Sequence, residues 1–419
     1  MRFLSSEDVA DLQHAHYDIV IVGAGMVGLT LALGLAERFD RILIVEAFKV
    51  KPHERPQTRS FDERSTALSW GSVDVLQRLG VWGKCQNAAA QITEVHVSEQ
   101  GRFGVTRLSG HDSPSGSLGY VLPNQSLGAA LMSSLRGGNV DLLSPASIKK
   151  TAFSAKSINL EIQLADGVLA CNAKLLLIAD GSCSQTAERL GIATRVQEYG
   201  QHAIICNVET SMANSGVAYE RFTPAGPMAM LPLSDYRSAL VWTLPTDQAE
   251  KIAALSDVDF LQRLQRSFGD RLGCLTKSSA RHVYPLRLTQ IEERSRRGCF
   301  VLGNAAHSLH PVAGQGFNLA LRGVVHLISG LFRAKAAGSY LGDPAMLAEI
   351  SAGLERDVWQ TVQFSDKLIS GFAESSLLAG VVRDGGLIAL NNLPVLRHWF
   401  TRQSMGLGHA VPTNTLGEA

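Results

Sequence analysis

The chain lacks most of the signatures that classify a protein at a glance. It has no excess of either charge: 39 Lys and Arg stand against 38 Asp and Glu in 419 residues, a formal net charge of +1. That balance gives no sign of a nucleic-acid partner. Its six cysteines, Cys85, Cys171, Cys183, Cys206, Cys274 and Cys299, include no C-x-x-C pair. Several sit in apolar, strand-like runs, which reads as reduced, buried thiol in a cytosolic protein rather than a disulfide frame or a zinc site. There is no internal repeat and no low-complexity tract. The segment before Tyr17 carries Glu7, Asp8 and Asp11 instead of a basic stretch, so it does not read as a signal peptide. The charge-free run 19–36 is just long enough to cross a bilayer, but three glycines lie at its centre and its start is strand-like. The reading is a protein without a membrane span. Hydrophobic residues make up 45% and mean hydropathy is slightly positive, so some apolar surface is left over. The length predicts two closely packed domains.

What is present starts at Tyr17. An apolar strand, Tyr17-Asp18-Ile19-Val20-Ile21-Val22, runs into Gly23-Ala24-Gly25-Met26-Val27-Gly28, a helical stretch follows, and a second strand ends in Glu46. The first glycine permits a tight turn, the second lets backbone approach a pyrophosphate, and the third lets helix and strand pack closely. The diphosphate sits on the helix N-terminus, where free N–H groups and the dipole favour an anion. Glu46 falls roughly 20 residues beyond the glycines, where an acid accepts hydrogen bonds from ribose hydroxyls. Strand, loop, helix, strand and acid together predict an adenine dinucleotide.

Further along, 47–59 reads as loop, and a helical pattern opens at Phe61-Asp62-Glu63-Arg64 and runs to Leu79, stopped by Gly80. Arg64 near that start is a phosphate or ribose contact or an ordinary surface ion pair. Strands are predicted at 92–97 and 104–108, a helix at 126–135 with Asn124 as its N-cap, and a hairpin about Asp166-Gly167. The run 175–179 reads as a buried parallel strand. It ends in Asp180-Gly181-Ser182-Cys183-Ser184, and a helix follows. From 201 to about 285 the texture changes to successive strands around a helix at 257–268. Strand 299–302 then leads to Gly303-Asn304-Ala305-Ala306-His307 and on to Gly314-Gln315-Gly316-Phe317-Asn318, where a long helix begins. The stretch 343–408 is helical, with an apolar part at 377–396 and Arg383, Arg397 and Arg402 nearby.

Three segments thus share one design, a buried strand ending in Gly or Asp-Gly before a helix, and all three can converge on one elongated cofactor. In their order and spacing the chain resembles the flavin-dependent aromatic hydroxylases with a single FAD domain, the para-hydroxybenzoate hydroxylase group. Phe61-Asp62-Glu63-Arg64, His96-Val97-Ser98, Glu220-Arg221-Phe222-Thr223, Gly226 through Pro232, Leu302-Gly303-Asn304-Ala305-Ala306 and Leu309-His310-Pro311 narrow the resemblance to the ubiquinone-biosynthesis hydroxylases. Two positions depart from the wider group. Asn304 stands where Asp is usual, and Ala187 stands where an Arg usually follows the mid-chain motif.

The resemblance implies an α/β fold: a Rossmann-like FAD-binding domain with an inserted, mostly antiparallel substrate sheet and C-terminal helices. The implied division is an N-terminal extension at 1–16, FAD-binding parts at 17–91, 120–200 and 291–340, substrate-domain parts at 92–119 and 201–290, and a helical region at 341–419. It implies FAD, with NAD(P)H and O₂ as cosubstrates, and hydroxylation of a prenylated methoxyphenol para to its hydroxyl by way of a flavin hydroperoxide. It implies that Gly23, Gly25 and Gly28 contact the pyrophosphate and Glu46 the adenosine ribose. Arg64 and Gln125 reach the phosphate–ribityl part, and Asp180 and Asn304 support the cofactor. The backbone of Gly314, Gln315, Gly316, Phe317 and Asn318 meets the pyrimidine edge of the flavin. No side-chain nucleophile or metal is required. His307 and His310 flank the flavin loop. His310, beside Pro311, is a proton relay or a packing histidine. Tyr219, Arg221, Met230, Pro232 and Trp242 lie on strands expected to face the flavin, with core packing as the alternative. The implied partners are the lipid substrate, other ubiquinone-biosynthesis proteins and a second copy of the chain. The implied location is cytoplasmic and peripheral on the inner membrane, through the C-terminal helices and their arginines or, on the other reading, with those helices in a core or oligomer contact. Other readings are a hydroxylase of a soluble aromatic acid, a non-catalytic FAD-binding scaffold and a prenyl-chain reductase.

Overall fold

The computed structural model of the protein describes residues 1–4, 12–50, 64–112, 116–135, 137–308, 314–373, 377–393 and 400–401. Two large sheets divide them. The first has a parallel part in the order Arg2–Phe3, Val140–Leu143, Ile42–Val45, Ala15–Val22, Gly167–Ile178 and Cys299–Val301. Its strands are continuous apolar runs because both faces are covered. Ile19 and Ile21 pack towards helices Met26–Leu35 and Gln315–Ala336, while Val20 and Val22 pack towards the antiparallel strands Ala146–Phe153 and Ile158–Leu164. The hairpin about Asp166-Gly167 is formed, with Leu164 paired to Gly167.

The second sheet runs His307–Ser308, His282–Ile291, Thr194–Thr210, Arg237–Pro245, Gly226–Ser234, Val217–Thr223, Glu94–Glu99 and Val105–Ser109. All these pairs are antiparallel except Val217–Thr223 with Glu94–Glu99. Two amphipathic helices, Thr246–Ala253 and Asp257–Phe268, cover one face of it, burying Ala249, Ile252, Phe260, Leu264 and Phe268. The other face turns towards the first sheet and leaves the cavity described below.

Several local expectations need correction. Residues 65–69 form a strand, Ser65–Ser69, paired with Gly119–Pro123, and the helix begins only at Trp70. Ser69 caps that helix by accepting from the Ser72 N–H, so Arg64 precedes a strand rather than opening a helix. Asn124 is not an N-cap. It lies inside helix Asn124–Ser134, and its side-chain oxygen accepts from the Thr66 hydroxyl at 2.6 Å. Cys183 and Cys274 are exposed, whereas Cys85, Cys171, Cys206 and Cys299 are buried. Arg383 does not face outward as a free cation. It forms a two-pronged, largely buried ion pair with Glu99, at 2.8 and 2.9 Å, that docks helix Leu377–Asn392 on the second sheet. Residues 61–63, 309–313, 397 and 402 lie outside the described residues, and with them His310, Pro311, Arg397 and Arg402.

Helix Gln315–Ala336 is central, with sixteen of its residues buried. Its Arg322 is buried too, and binds Asp357 of helix Pro344–Ala373 through two hydrogen bonds at 2.7 and 3.0 Å. Removing one partner of such a pair strands a buried charge. Asp357→Ala should therefore lower the free energy of unfolding by about 3 kcal/mol, read from the urea midpoint of the FAD-loaded protein. A change below about 0.5 kcal/mol, the size of an exposed pair, would contradict this.

Candidate active site

Two helices begin at the carboxyl ends of the parallel strands, and both begin at a glycine. Gly25 precedes Met26–Leu35 and Gly314 precedes Gln315–Ala336, and at neither does a side chain cap the first N–H groups. Ser69, Ser184 and Ser256 do cap the helices they precede. The two open ends offer N–H groups and the positive end of a dipole to an anionic or electron-rich ligand. Gly314 has a left-handed backbone, φ 61° and ψ 26°, which a residue with a Cβ adopts at a cost.

The glycine loop is built for contact. A Cβ on Gly28 would lie 1.9 Å from the Gly23 carbonyl oxygen, so strand and helix can cross only if that position is bare. Gly316 is different. A Cβ there would meet nothing within 4 Å, and the residue lines the cavity. No part of the described protein requires glycine at 316, and the open space above it leaves room for a ligand on the helix end.

The acids are placed accordingly. Glu46 is buried, with one carboxylate oxygen accepting from the Ala24 N–H at 2.6 Å and the other from the Phe48 N–H at 2.9 Å. Burial raises its pKa, against the pull of those N–H groups. Each oxygen keeps a lone pair that a ribose hydroxyl can use. Asp180 accepts a long bond, 3.4 Å, from the Thr186 N–H, and its Oδ1 is buried with no partner among the described residues. An orphaned carboxylate oxygen costs about 1–3 kcal/mol, and a hydrogen-bonding group of a bound cofactor would relieve it. Arg64 lines the cavity with its guanidinium over the Tyr284 ring, 4.9 Å from the centroid. Asn304 is exposed to the same space. Gln125 is half-buried on its helix and is not among the cavity-lining residues.

Asn318 acts indirectly. Its side-chain oxygen accepts from the Ser69 N–H at 2.9 Å and the Ser72 hydroxyl at 2.7 Å, and its amide donates to the carbonyls of Ala67 and Gly314 at 2.9 and 2.8 Å. With all these bonds made inside the protein, it fixes strand Ser65–Ser69 against the helix start and holds the Gly314 turn.

A cavity of about 480 Å³ runs from this helix end to the second sheet. Strand alternation decides which side chains wall it. Ala218, Glu220, Phe222, Ala229, Leu231 and Val241 face it. Met230 and Trp242 instead pack among Phe260, Leu264 and Phe268 behind the sheet, and Pro232 shares their alternation. Arg221 donates to the Ser267 carbonyl at 3.0 Å on that same rear side. Tyr219 borders the cavity, but its ring stands edge-on to Phe268, centroids 5.5 Å apart. Of the five expected wall residues, then, four are on the wrong face, and the wall is one residue out of step with the expectation. Glu220 is the residue that sequence reasoning missed: the acid was visible in its strand, but the face it takes was not. Burial pushes its pKa up to about 8. His307 is buried in a short strand, where burial holds its pKa down at about 3, so it is a neutral packing residue beside Arg294.

The FAD binding domain family model matches residues 16–364. Ubiquinone hydroxylase UbiL of Rhodospirillum rubrum is 33% identical over 390 residues, 93% of this chain and 89% of that one. The chain belongs to the ubiquinone-biosynthesis hydroxylases, a family of FAD-dependent monooxygenases. The 3-demethoxyubiquinol 3-hydroxylase of Escherichia coli is 29% identical over 93% of this chain and 98% of its own. Among solved structures, p-nitrophenol 4-monooxygenase PnpA of Pseudomonas putida superposes with a TM-score of 0.76 over 94% of this chain and 99% of that one, at 15% identity, which shows a shared fold. FAD is the cofactor of this hydroxylase, and the open helix ends, the bare Gly316 and the orphaned Asp180 oxygen fit it.

If Gly316 is bare for the flavin, Gly316→Val should leave the apoprotein folded, with its far-UV spectrum unchanged, and lower bound FAD per chain at least fivefold by visible absorbance. Full FAD occupancy in that variant would contradict the placement of the flavin at this helix end.

Proposed function

We propose that this hydroxylase acts on 2-polyprenyl-6-methoxyphenol, adding a hydroxyl para to the existing one, the reaction of 2-octaprenyl-6-methoxyphenol hydroxylase. The observation that carries this reading is the character of the wall. Among the described residues lining the cavity, the only charged ones are Arg64, on the flavin side, and Glu220. A soluble aromatic acid needs a cation at its carboxylate. Arg221, a cation on one of the strands expected to face the flavin, is turned away, and Glu220 offers no positive charge. A neutral phenol with an aliphatic tail suits the same wall.

Bound FAD supplies the oxygen chemistry, with NAD(P)H as electron donor and O₂ as oxidant. The protein's share is placement. Gly23, Gly25 and Gly28 admit the pyrophosphate, Glu46 takes the adenosine ribose, and Arg64, Gln125, Asp180 and Asn304 serve the phosphate and ribityl region. The N–H groups from Gly314 onward stabilise negative charge at the pyrimidine edge. The apolar strands exclude water from the reacting ring and hold its carbon at roughly 3–3.5 Å from the incoming oxygen.

The tail must come from a bilayer, and no helix among the described residues is long and apolar enough to cross one. Trp359, Val381 and Val382 are exposed apolar residues on the two C-terminal helices, at 63%, 66% and 69% exposure. Peripheral contact with the inner membrane through this surface fits them, as does a contact with other ubiquinone-biosynthesis proteins or with a second copy of the chain.

Mass spectrometry of quinone lipids from a strain lacking the gene tests the proposal. Loss of ubiquinone with accumulation of polyprenyl-methoxyphenol is the expected result. Accumulation of a different prenylated intermediate would move the ring position, and normal ubiquinone in a strain without a second hydroxylase would overturn the reading.

A further inference from the structure

Glu220 occupies a position that packing alone would give to an apolar residue. It lies in strand Val217–Thr223 between Ala218 and Phe222 on the cavity side, opposite Val97 on one neighbouring strand and Ala229 on the other. None of these four can hydrogen-bond a carboxyl through its side chain. Among the described residues no hydrogen bond or ion pair reaches Glu220. Its sequence neighbours Tyr219 and Arg221 are engaged behind the sheet with Phe268 and Ser267. Glu99, on the adjacent strand, is occupied by Arg383. The other charged residue lining the cavity, Arg64, stacks on Tyr284. A carboxyl kept unpaired in an apolar wall costs stability unless something else uses it, and the space it faces is the one that ends at Gly314–Asn318.

We propose that Glu220 is the proton acceptor for the phenol of the substrate, an inference that rests on the phenolic reading above. A phenol becomes strongly electron-rich at its para carbon when its O–H bond gives up the proton. The carboxylate of Glu220 takes that proton, forming the carboxyl O–H, and the bonding pair stays on the phenolate oxygen. As the para carbon takes a hydroxyl from O₂, the O–O bond breaks, the second oxygen leaves as water with the two electrons of NAD(P)H, and the phenolate oxygen becomes a ring carbonyl. The para C–H bond then releases its proton to water, its electron pair restores the aromatic ring, and the carbonyl oxygen regains a proton from Glu220. The residue ends as it began, ready for the next ring. A carboxyl raised to about 8 stands roughly two units below a phenol at about 10, close enough for efficient proton sharing. Since the acceptor must be ionised, product formation should rise with pH and level off above about 8.

The test uses FAD-loaded enzyme with a short-tailed 2-prenyl-6-methoxyphenol, NAD(P)H and O₂. Glu220→Gln should keep its FAD, reduce product formation about 100- to 10,000-fold at neutral pH and lose the rise with pH. Glu220→Asp should retain part of the activity. A ring-fluorinated substrate, whose phenol ionises more readily, should recover at least tenfold of the Glu220→Gln loss, a rescue that a purely structural defect would not show. Product formation within threefold of wild type, or an equal loss on both substrates, would overturn the role of Glu220 alone. A wild-type enzyme that turns over neither phenol would overturn the substrate reading and this inference with it.

Discussion

The site depends on two helix ends that the protein leaves open. Capping a helix start with a serine is easy, and the chain does it at Ser69, Ser184 and Ser256. At Gly25 and Gly314 it does not. Both of these helix starts line the cavity, where their N–H groups and dipole can serve an anionic or electron-rich ligand. The parallel sheet sets Ala15–Val22 and Cys299–Val301 on either side of Gly167–Ile178, and the bare carbon at Gly28 lets the first helix cross its strand. Asn318 completes the arrangement by tying the second helix start to strand Ser65–Ser69 with two hydrogen bonds, while two more reach the Ser72 hydroxyl and the Gly314 carbonyl. The same residues therefore hold the protein together and shape the flavin end of the cavity.

The cofactor half of the site was legible in the sequence because its requirements are local. A turn that needs glycine, a strand buried on both faces and an acid roughly 20 residues on all leave marks at fixed spacing. The substrate half was not. A strand of alternating side chains has two faces, and a shift of one residue exchanges them. Tyr219, Arg221, Met230, Pro232 and Trp242 share one alternation, and apart from Tyr219 at its border the wall uses the other. The deciding element was the pair of helices Thr246–Ala253 and Asp257–Phe268, whose apolar stripes claim Met230 and Trp242 for a core of their own. Nothing in a strand's own sequence states which face its helices will take. A small local error, the helix read over 61–69, has a similar cause: Ser65–Ser69 is a strand because Gly119–Pro123 lies beside it, a partner fifty residues away.

The two halves meet at the C-terminal helices. Helix Pro344–Ala373 is fixed to the flavin-side helix by Arg322 and Asp357, and its Phe372 stacks on Phe222 of the wall with centroids 3.6 Å apart. Helix Leu377–Asn392 is fixed to the substrate sheet by Glu99 and Arg383. These contacts dock the two helices that carry the exposed Trp359, Val381 and Val382 against the second sheet.

The central claim is that this chamber transfers oxygen from O₂ to a prenylated ring. Purified FAD-loaded enzyme supplied with NAD(P)H, a prenylated methoxyphenol and ¹⁸O₂ tests it directly. The account predicts one labelled oxygen in the ring of the product, near one product per NAD(P)H consumed. NAD(P)H consumption with peroxide and no labelled product, or a product altered only in its prenyl chain, would contradict it.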